Sequence, residues 1–412
     1  MTRSKIGLEE ARELVRTRIR PLPPLDMPLW RSLYRFTARE TRARVDCPSV
    51  NSSLKDGYAV RSADLAAADR EAPVRLRLTD SALFAGGGER APSPLQPGTA
   101  MRIMTGAELP PGADAVAPQE AVDADGEAIE VPRRIEPGAD VLLKGSDIRR
   151  DEVVLDARTR IDPNKLGLLA AAGLESVPAH PGPKVGLIAT GDELMLPGRD
   201  PARGKLYASN LVTLYGWCAA YGIDTLVEIL PDEPGAMRDR IRELHFRCDA
   251  LLTSGGAWSG DRDFVLESLE SLQWSQVFHR VRLGPGKGVS FGLLQGKPVF
   301  VLPGGPPSNL VAFLQLGLFG LQLLSGNPEP GLPRMKARLQ RPVRGQSDWT
   351  QFVFGELREE KGLMRFLPLN LDSRLRSMAR SCGMVCIPEG TDHIPEGAAV
   401  EAQVWLQPEI AG

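Results

Sequence analysis

The stretch "KVGLIATGDEL", residues 184–194, is an apolar run that ends in a glycine and two carboxylates. An apolar run of about seven residues before a glycine is typical of a buried strand followed by a tight loop. A helical pattern follows, then another apolar run, and this alternation continues to residue 324. We therefore predict a mostly parallel sheet that is covered by helices on both faces.

The elements of this α/β segment are delimited by their apolar runs and by glycine or proline. The predicted strands are 184–190, 224–230, 249–254 and 297–304, and the predicted helices are 209–222, 233–247, 263–272 and 307–324. The last helix contains the longest apolar stretch of the chain, 309–324. That stretch is too short and too rich in glycine for a membrane span, so we predict a buried helix.

The rest of the chain has a different texture. Residues 4–44 show helical patterning, which includes Trp30 and is broken by prolines. Residues 46–160 are rich in glycine and proline and contain short alternating runs, which predict strands. Residues 162–175 are helical again, with Asp162 as the N-cap. We expect four domains: a discontinuous helical and linker domain (1–45 and 148–180), an inserted β domain (46–147), an α/β domain (181–327) and a C-terminal β domain (328–412).

The composition excludes several classes of protein. The chain has 412 residues, 42% hydrophobic and 25% charged, with a formal net charge of -2, so no global charge attracts nucleic acid or an anionic membrane. Its five cysteines form no CxxC pair and its four histidines are scattered, which argues against a Cys/His zinc site. Reduced cysteines and a charged N-terminus without an apolar signal segment predict a cytoplasmic protein.

Three loops at the carboxyl edge of the predicted sheet have the chemistry of a phosphate and metal site. Ligands of open α/β sheets bind at this edge. Glycine lets the backbone approach an anion closely, and the start of a helix offers free N–H groups. The residues concerned are Thr190, Gly191, Asp192 and Glu193; Ser254, Gly255, Gly256, Asp261 and Asp263; and Gly304, Gly305 and Ser308. A glycine-rich segment with Lys287 adds a cation, so the loops together indicate a nucleotide-phosphate site with Mg²⁺.

Each of these residues also has a structural interpretation. Asp261 and Asp263 can cap the helix that follows them, and Lys287 can be an ordinary surface lysine. Asp56 stands before Gly57, and Asp-Gly is a strong turn signal. For Asp56 taken alone, the turn is the better interpretation. For the three loops, their shared position on one edge of a sheet favours a functional site.

The motifs taken together resemble those of the MoeA family, the bacterial molybdopterin molybdenumtransferases related to the gephyrin E domain. The matching stretches run in order along almost the whole chain. They are "NSSLKDGYAV" (51–60), "RIMTGAELPPGADAV" (102–116), "KGSDI" (144–148), "ATGDEL" (189–194), "YASN" (207–210), "TSGGAWSGDRDF" (253–264), "PGKG" (285–288), "LPGGPPS" (302–308) and "SRLRSMARSCGMVCIPEG" (373–390). No single motif is specific, but their combination is.

The resemblance implies a fold and a reaction. The fold is a multidomain α/β and β protein, an elongated four-domain subunit with a MogA/MoaB-like α/β domain, an inserted β domain and a C-terminal β-barrel-like domain. The reaction is the insertion of molybdate into the dithiolene of adenylylated molybdopterin (molybdopterin-AMP), with Mg²⁺-dependent release of AMP. The implied assembly is a homodimer with its active site at the subunit interface, and the implied partners are the pterin adenylyltransferase and acceptor molybdoenzymes.

The resemblance also implies roles for particular residues. The residues implied to be catalytic are Asp56, Thr105, Asp147, Glu193, Asp232 and Asp263. The last three are candidate Mg²⁺ ligands. Asp56 is implied to face the partner subunit's site. The pterin nucleotide is implied to bind at Thr190, Gly191, Ser254, Gly255, Gly256, Lys287, Gly304, Gly305 and Ser308. Molybdate is implied to bind at Lys287, Ser308 and Ser377.

The chain departs from the family at several of these places. The family commonly has lysine at Gly284, asparagine at Gly305, aspartate at Ala208, methionine at Lys55, and arginine at Trp349 and Phe354. Candidate replacements for the missing cations are Arg374, Arg376 and Arg380. The alternatives to a molybdate insertase are therefore a divergent pterin-nucleotide-binding or delivery protein, a tungstate insertase, and a dimeric scaffold.

Overall fold

The structure, a computed structural model, describes residues 3–86, 92–198, 200–256 and 264–405. It contains two compact units, one formed by Met1–Leu25 with His180–Gly412 and the other by Asp26–Ala179. The predicted four-domain boundaries are finer than this division and stay a prediction.

A seven-stranded sheet, counted over the described residues, forms the centre of the first unit. Its strands lie in the order Arg3–Ile6, Ser275–Val281, Ser290–Leu294, Lys297–Leu302, Ala250–Ser254, Lys184–Thr190 and Asp224–Leu230. The last four strands of this order are parallel to one another, as predicted. Ala250–Ser254 is buried throughout, as expected of a central strand that is covered on both faces.

Helices cover both faces of this sheet, as the alternating pattern predicts. Leu8–Arg18, Ser209–Ala220 and Pro306–Leu324 pack on one face, and Pro234–Arg247 and Phe264–Ser271 pack on the other. Successive strand residues alternate between the two cores: Leu187 belongs to the first and Ile188 to the second.

The long apolar helix consists of Pro306–Ala312, a π-helical turn at Phe313–Gly317, and Leu318–Leu324. Its most apolar window is 94% buried inside the protein. Its burial is that of a core helix, as predicted.

A closed five-stranded β-barrel follows near the C-terminus. Its strands are Arg334–Leu339, Thr350–Glu360, Leu363–Pro368, Gly383–Ile387 and Ala399–Val404. Closure occurs because Thr350–Glu360 pairs with Leu363–Pro368 on one side and with Gly383–Ile387 on the other. The short strand Leu283–Gly284 adds to Thr350–Glu360, and helix Arg374–Arg380 lies between two barrel strands in the chain.

The second unit is mainly β structure. Its six-stranded sheet has the order Asp123–Ala124, Ala128–Val131, Val74–Leu83, Thr99–Ile103, Gly57–Val60 and Ala115–Pro118. Smaller sheets join Val141–Leu142 to Ser52–Ser53, Val153–Leu155 to Thr41–Arg42, and Leu25–Pro28 to Ser176–His180 and Phe36–Thr37. Its α-helix, Pro163–Ala171, begins at Asp162, whose carboxylate accepts the Lys165 N–H at 2.9 Å, so the predicted N-cap is confirmed.

One part of the prediction is wrong. The first helix ends at Arg18, because prolines follow it, and residues 25–42 form short strands with distant partners instead of a second helix. Trp30 lies in a 3₁₀ turn and is 95% exposed. The α/β sheet is mostly parallel, as predicted; among its described strands, Ser290–Leu294 runs antiparallel to both neighbours.

Candidate functional site

The three predicted loops meet at the carboxyl edge of the central sheet. In register, Ala189 lies beside Ser254, and Ser254 lies beside Leu302, so the chain leaves three neighbouring strands at one level. The Gly255 N–H donates to the Leu302 carbonyl at 3.0 Å, which continues the pairing one residue beyond the sheet. This edge therefore gathers Thr190, Gly191, Ser254, Gly255 and the 303–308 segment in one place, as the strand pattern predicts.

Glycine is required where these loops approach one another. Gly255 has φ +107°, and a Cβ added to it would lie 3.1 Å from the Thr190 hydroxyl. Gly191 has φ +140°, and a Cβ there would lie 2.5 Å from a carboxylate oxygen of Glu193. Both values of φ are unfavourable for other residues. The absence of a side chain at Gly255 and Gly191 thus lets the first two loops approach each other and leaves room for the Glu193 carboxylate beside the backbone.

Carboxylates gather at the first loop. The Asp192 side chain accepts the Asp232 N–H at 3.1 Å, which ties the loop after Lys184–Thr190 to the loop after the neighbouring strand. Lys205 donates its ammonium group to the Asp192 carbonyl. Glu193 is exposed and Asp232 is half-buried. They follow two neighbouring parallel strands, in which Thr190 lies beside Leu230, so two of the three candidate metal ligands lie at one edge of the sheet. The third, Asp263, and its neighbour Asp261 lie outside the described residues.

Two asparagines outside the predicted set of site residues bond the third loop. Asn210 donates to the Gly304 carbonyl at 2.7 Å, and Asn309 donates to the Pro303 carbonyl at 2.9 Å. The sequence signal for Asn210 was its place in "YASN". Asn309 has no such signal, because its partners are set by the tertiary fold.

The three residues implied to bind molybdate lie on segments that meet. A Cβ added to Gly286 would lie 3.4 Å from the Ser308 carbonyl oxygen, so the "PGKG" loop with the exposed Lys287 adjoins the start of the long helix. Helix Arg374–Arg380 packs against the same helix start. On it, half-buried Ser377 donates its hydroxyl to the Asn370 carbonyl at 2.7 Å.

The departures from the family have distinct structural settings. Gly284 faces Gln351, whose Cγ would be 3.2 Å from an added Cβ. Phe354 is 1% exposed and belongs to the hydrophobic core. The position where the family commonly has arginine therefore supplies no cation to the site. Arg380 pairs with Glu356 at 2.7 Å. Together with Arg358, which has the larger effect, Arg380 holds the pKa of the Glu356 carboxyl below its ordinary value. Arg380 is therefore engaged, whereas the helix exposes Arg374 and Arg376.

The second unit brings Asp56 and Thr105 into direct contact. One Asp56 oxygen accepts both the Thr105 N–H and the Thr105 hydroxyl, each at 2.7 Å. These two bonds, with the charge of Arg102, hold the pKa of the Asp56 carboxyl below its ordinary value. Asp56 is thus kept ionised, and its contact with Thr105 is more specific than the turn interpretation requires.

The segment that carries Asp147 lies against residues 51–53, which precede Asp56 in the chain. Ser52–Ser53 pairs with Val141–Leu142, and Lys144 donates its N–H to the Asn51 side chain at 2.8 Å. Asp147 itself is exposed. Lys55 stands at a position where the family has methionine. Its ammonium nitrogen lies 3.6 Å from a carboxylate oxygen of Asp140.

Substituting Thr105 by valine is expected to raise the pKa of Asp56 toward its ordinary value. The variant loses the hydroxyl donor and keeps the N–H donor. Because the folded pKa is depressed, the stabilisation by this carboxylate is present above the unfolded pKa of about 3.9 and is lost as pH falls through the folded pKa. Carboxyl ¹³C NMR titration measures the change. Thr105→Ser, which keeps both donors, is the control, and an unchanged pKa in Thr105→Val would contradict the assignment.

Comparison with known families gives matches along nearly the whole chain. Residues 6–173 match the MoeA N-terminal region (domain I and II). Residues 186–322 match a probable molybdopterin binding domain, and residues 336–405 match the MoeA C-terminal region (domain IV). All the loops described above fall within these matches.

Similar proteins agree with these matches. The chain is 30% identical over 408 residues to molybdopterin molybdenumtransferase 2 of Mycobacterium tuberculosis, covering 97% of this chain and 99% of the relative. It is 32% identical over 377 residues to molybdopterin molybdenumtransferase of Bacillus subtilis, covering 90% and 87%. A molybdopterin biosynthesis MoeA protein from Pyrococcus horikoshii superposes with a TM-score of 0.81 at 30% identity, covering 97% and 99%. The chain therefore belongs to the MoeA family of molybdopterin molybdenumtransferases, transferases of molybdenum cofactor biosynthesis.

Proposed function

We propose that this protein inserts molybdate into the dithiolene of adenylylated molybdopterin and releases AMP in a Mg²⁺-dependent step. The observation that supports this proposal most is the meeting of the loops after Lys184–Thr190, Ala250–Ser254 and Lys297–Leu302 at one edge of one sheet. Each loop has glycines, and one of them opens a long helix. This is the arrangement by which α/β proteins bind phosphate groups.

The start of the long helix is suited to an anionic group. Pro306 and Pro307 have no N–H, so the donors of this turn are the backbone of Gly305 and the backbone and hydroxyl of Ser308. Serine hydroxyls, backbone N–H groups and a lysine are the partners that a tetrahedral dianion such as molybdate prefers. We therefore assign molybdate to the region of Lys287, Ser308 and Ser377.

The carboxylates at the first loop fit Mg²⁺. Mg²⁺ takes oxygen ligands and is commonly held by one or two carboxylates together with waters and substrate phosphates. Within the described ranges no group of three acidic, histidine or cysteine side chains is placed to hold a metal, so the described residues would supply at most two carboxylates. Glu193 and Asp232 would hold the ion, with Asp263 as a further candidate. When bound, it would neutralise charge on the phosphoanhydride.

The remaining residues act by orientation and charge. Cleavage of a phosphoanhydride needs a positioned substrate and neutralised charge more than a covalent intermediate. The Gly255 N–H is engaged by the Leu302 carbonyl, so the phosphates would be held by N–H groups of the other loop glycines, with the Thr190 hydroxyl close to Gly255. In the second unit, Asp56 stays ionised beside Thr105. We propose that the protein is a cytoplasmic homodimer in which Asp56 completes the partner subunit's site, and that it works between a pterin adenylyltransferase and acceptor molybdoenzymes.

The proposal is tested by supplying adenylylated molybdopterin and molybdate to the purified protein and following AMP by chromatography. AMP is expected to accumulate with Mg²⁺ and to stop when EDTA is added. AMP release at the same rate with EDTA would contradict the metal assignment, and no AMP under any condition would contradict the reaction.

A second candidate function is pterin-nucleotide binding or delivery without insertion. Gly284 has no side chain to offer an oxyanion, Phe354 is buried, and Arg380 is engaged by Glu356. Fewer cations therefore reach the proposed oxyanion site than the resemblance implies. Tungstate is a tetrahedral dianion like molybdate, so a tungstate insertase is the corresponding alternative.

Replacing Gly284 by lysine is expected to lower the KM for molybdate several-fold, about fivefold for a partly screened new charge. The Cβ fits if the flexible Gln351 side chain moves slightly. Molybdate titrations of AMP release measure the effect, with Gly284→Gln as the neutral control of similar length. Equal KM values for the lysine and glutamine variants would place the oxyanion elsewhere.

A further inference from the structure

Asn309 is a buried amide that joins two of the three loops. It is 1% exposed and lies in the first turns of the long helix. Its Nδ2 donates to the Ser254 hydroxyl at 3.1 Å and to the Pro303 carbonyl at 2.9 Å. Ser254 ends the central strand and Pro303 opens the loop before the helix. One side chain therefore bonds both loops at once.

The backbone of the same residue strengthens this connection. The Asn309 N–H donates to the Gly305 carbonyl at 2.8 Å, as the first intrahelical bond. The main chain and the side chain of one residue therefore both bond the 303–305 segment. Asn210, on helix Ser209–Ala220, donates its side-chain N–H to the carbonyl of Gly304, between Pro303 and Gly305. With their carbonyls engaged in this way, the peptide units of the loop are held in one orientation.

The amide is not an optimal choice for stability alone. Its carbonyl oxygen, Oδ1, is buried and has no hydrogen-bond partner among the described residues. An unpaired buried acceptor is destabilising. A group that only filled space here would have no reason to bury that oxygen, whereas the two donated bonds require an amide.

We propose that Asn309 is a positioning residue for the insertase reaction: it locks the Ser254 loop to the 303–305 loop and so sets the spacing of the N–H groups that bind the substrate phosphates. This inference rests on the proposed function. Asn309 touches no reacting atom; it acts through the loops that it holds.

Gln322 provides a matched control. It is a buried amide, 7% exposed, near the other end of the same helix, and both ends of its side chain bond the backbone of Gly331. Asn309→Leu and Gln322→Leu each remove an amide that makes two hydrogen bonds from one helix. Only the first change affects the loops, so the pair separates positioning from general helix stability.

The test compares both variants with the wild-type protein in three measurements. Asn309→Leu is expected to raise the KM for adenylylated molybdopterin and the Kd for AMP, measured by calorimetry, about tenfold or more. Hydrogen exchange in 251–256 and 302–308 should become faster. Gln322→Leu should leave the KM and the Kd within about twofold of wild type. Asn309→Ala serves if leucine prevents folding.

The outcomes are distinguishable. Wild-type KM and Kd in a folded Asn309 variant would overturn the positioning role even if the insertase reaction is established. Unchanged exchange in both loops would also overturn it. If the wild-type protein neither binds AMP nor releases it, the proposed function fails, and faster loop exchange in Asn309→Leu would then support only the coupling of the loops.

Discussion

Replacing Glu193 by glutamine is expected to slow AMP release at least about a hundredfold. The substitution keeps the shape of the side chain and removes the charge that would hold Mg²⁺ at the first loop. Glu193 is exposed and its carboxylate lies against Gly191, so the fold should be unaffected. The variant should also require more Mg²⁺ for half-maximal rate, which a purely structural role would not cause.

The control for this prediction is Glu270→Gln, an exposed carboxylate on helix Phe264–Ser271. It should keep the wild-type rate and Mg²⁺ dependence. A Glu193→Gln protein that turns over at the wild-type rate would remove Glu193 from the metal site and leave Asp232 and Asp263 as the candidates.

The Asp56→Asn variant should also lose at least about a hundredfold in AMP release. Asparagine can still accept the Thr105 hydrogen bonds but carries no charge, and the native carboxylate is held ionised by those bonds. Because asparagine keeps both acceptor contacts with Thr105 and the site is only half-buried, the thermal unfolding midpoint should fall only slightly. Asp56→Asn therefore tests the charge itself; full activity in this variant would return Asp56 to a turn residue.

Mixed dimers show whether the site is shared between subunits. Asp56→Asn and Glu193→Gln chains, each inactive alone, should regain about a quarter of wild-type activity after random mixing, because half of the dimers are mixed and each has one intact site. Confirmed mixed dimers without recovered activity would mean that both residues serve the same subunit's site.

The strands that carry the site could be predicted from the sequence because each is a short apolar run that ends at a loop signal. Lys184–Thr190, a buried central strand, and Asp224–Leu230, a mostly half-buried edge strand, both match their apolar runs residue for residue. Ser275–Val281 was missed because it contains His279 and Arg280 and pairs with Arg3–Ile6, far away in the chain. It lies between Arg3–Ile6 and Ser290–Leu294 in the sheet, and its own pattern does not show these pairings.

The candidate site, too, could be predicted only where the local sequence pattern determines it and not where distant contacts do. The rule that ligands bind beyond the carboxyl ends of parallel strands placed the loops of Gly191, Gly255 and Ser308 together. Asn309 could not be found in this way, since its partner Ser254 is 55 residues distant in the chain. The helical prediction around Trp30 failed for the related reason that distant strands, not local spacing, set that segment.

The most direct test of the central claim is molybdate-stimulated AMP release by the wild-type protein. With adenylylated molybdopterin and Mg²⁺ present, adding molybdate is expected to increase AMP release and to yield one molybdenum cofactor per AMP, scored by reconstitution of an apo-molybdoenzyme. A parallel series with tungstate shows which oxyanion the site prefers. AMP release that neither molybdate nor tungstate changes, with pterin binding retained, would contradict the insertase account and favour a binding or delivery protein.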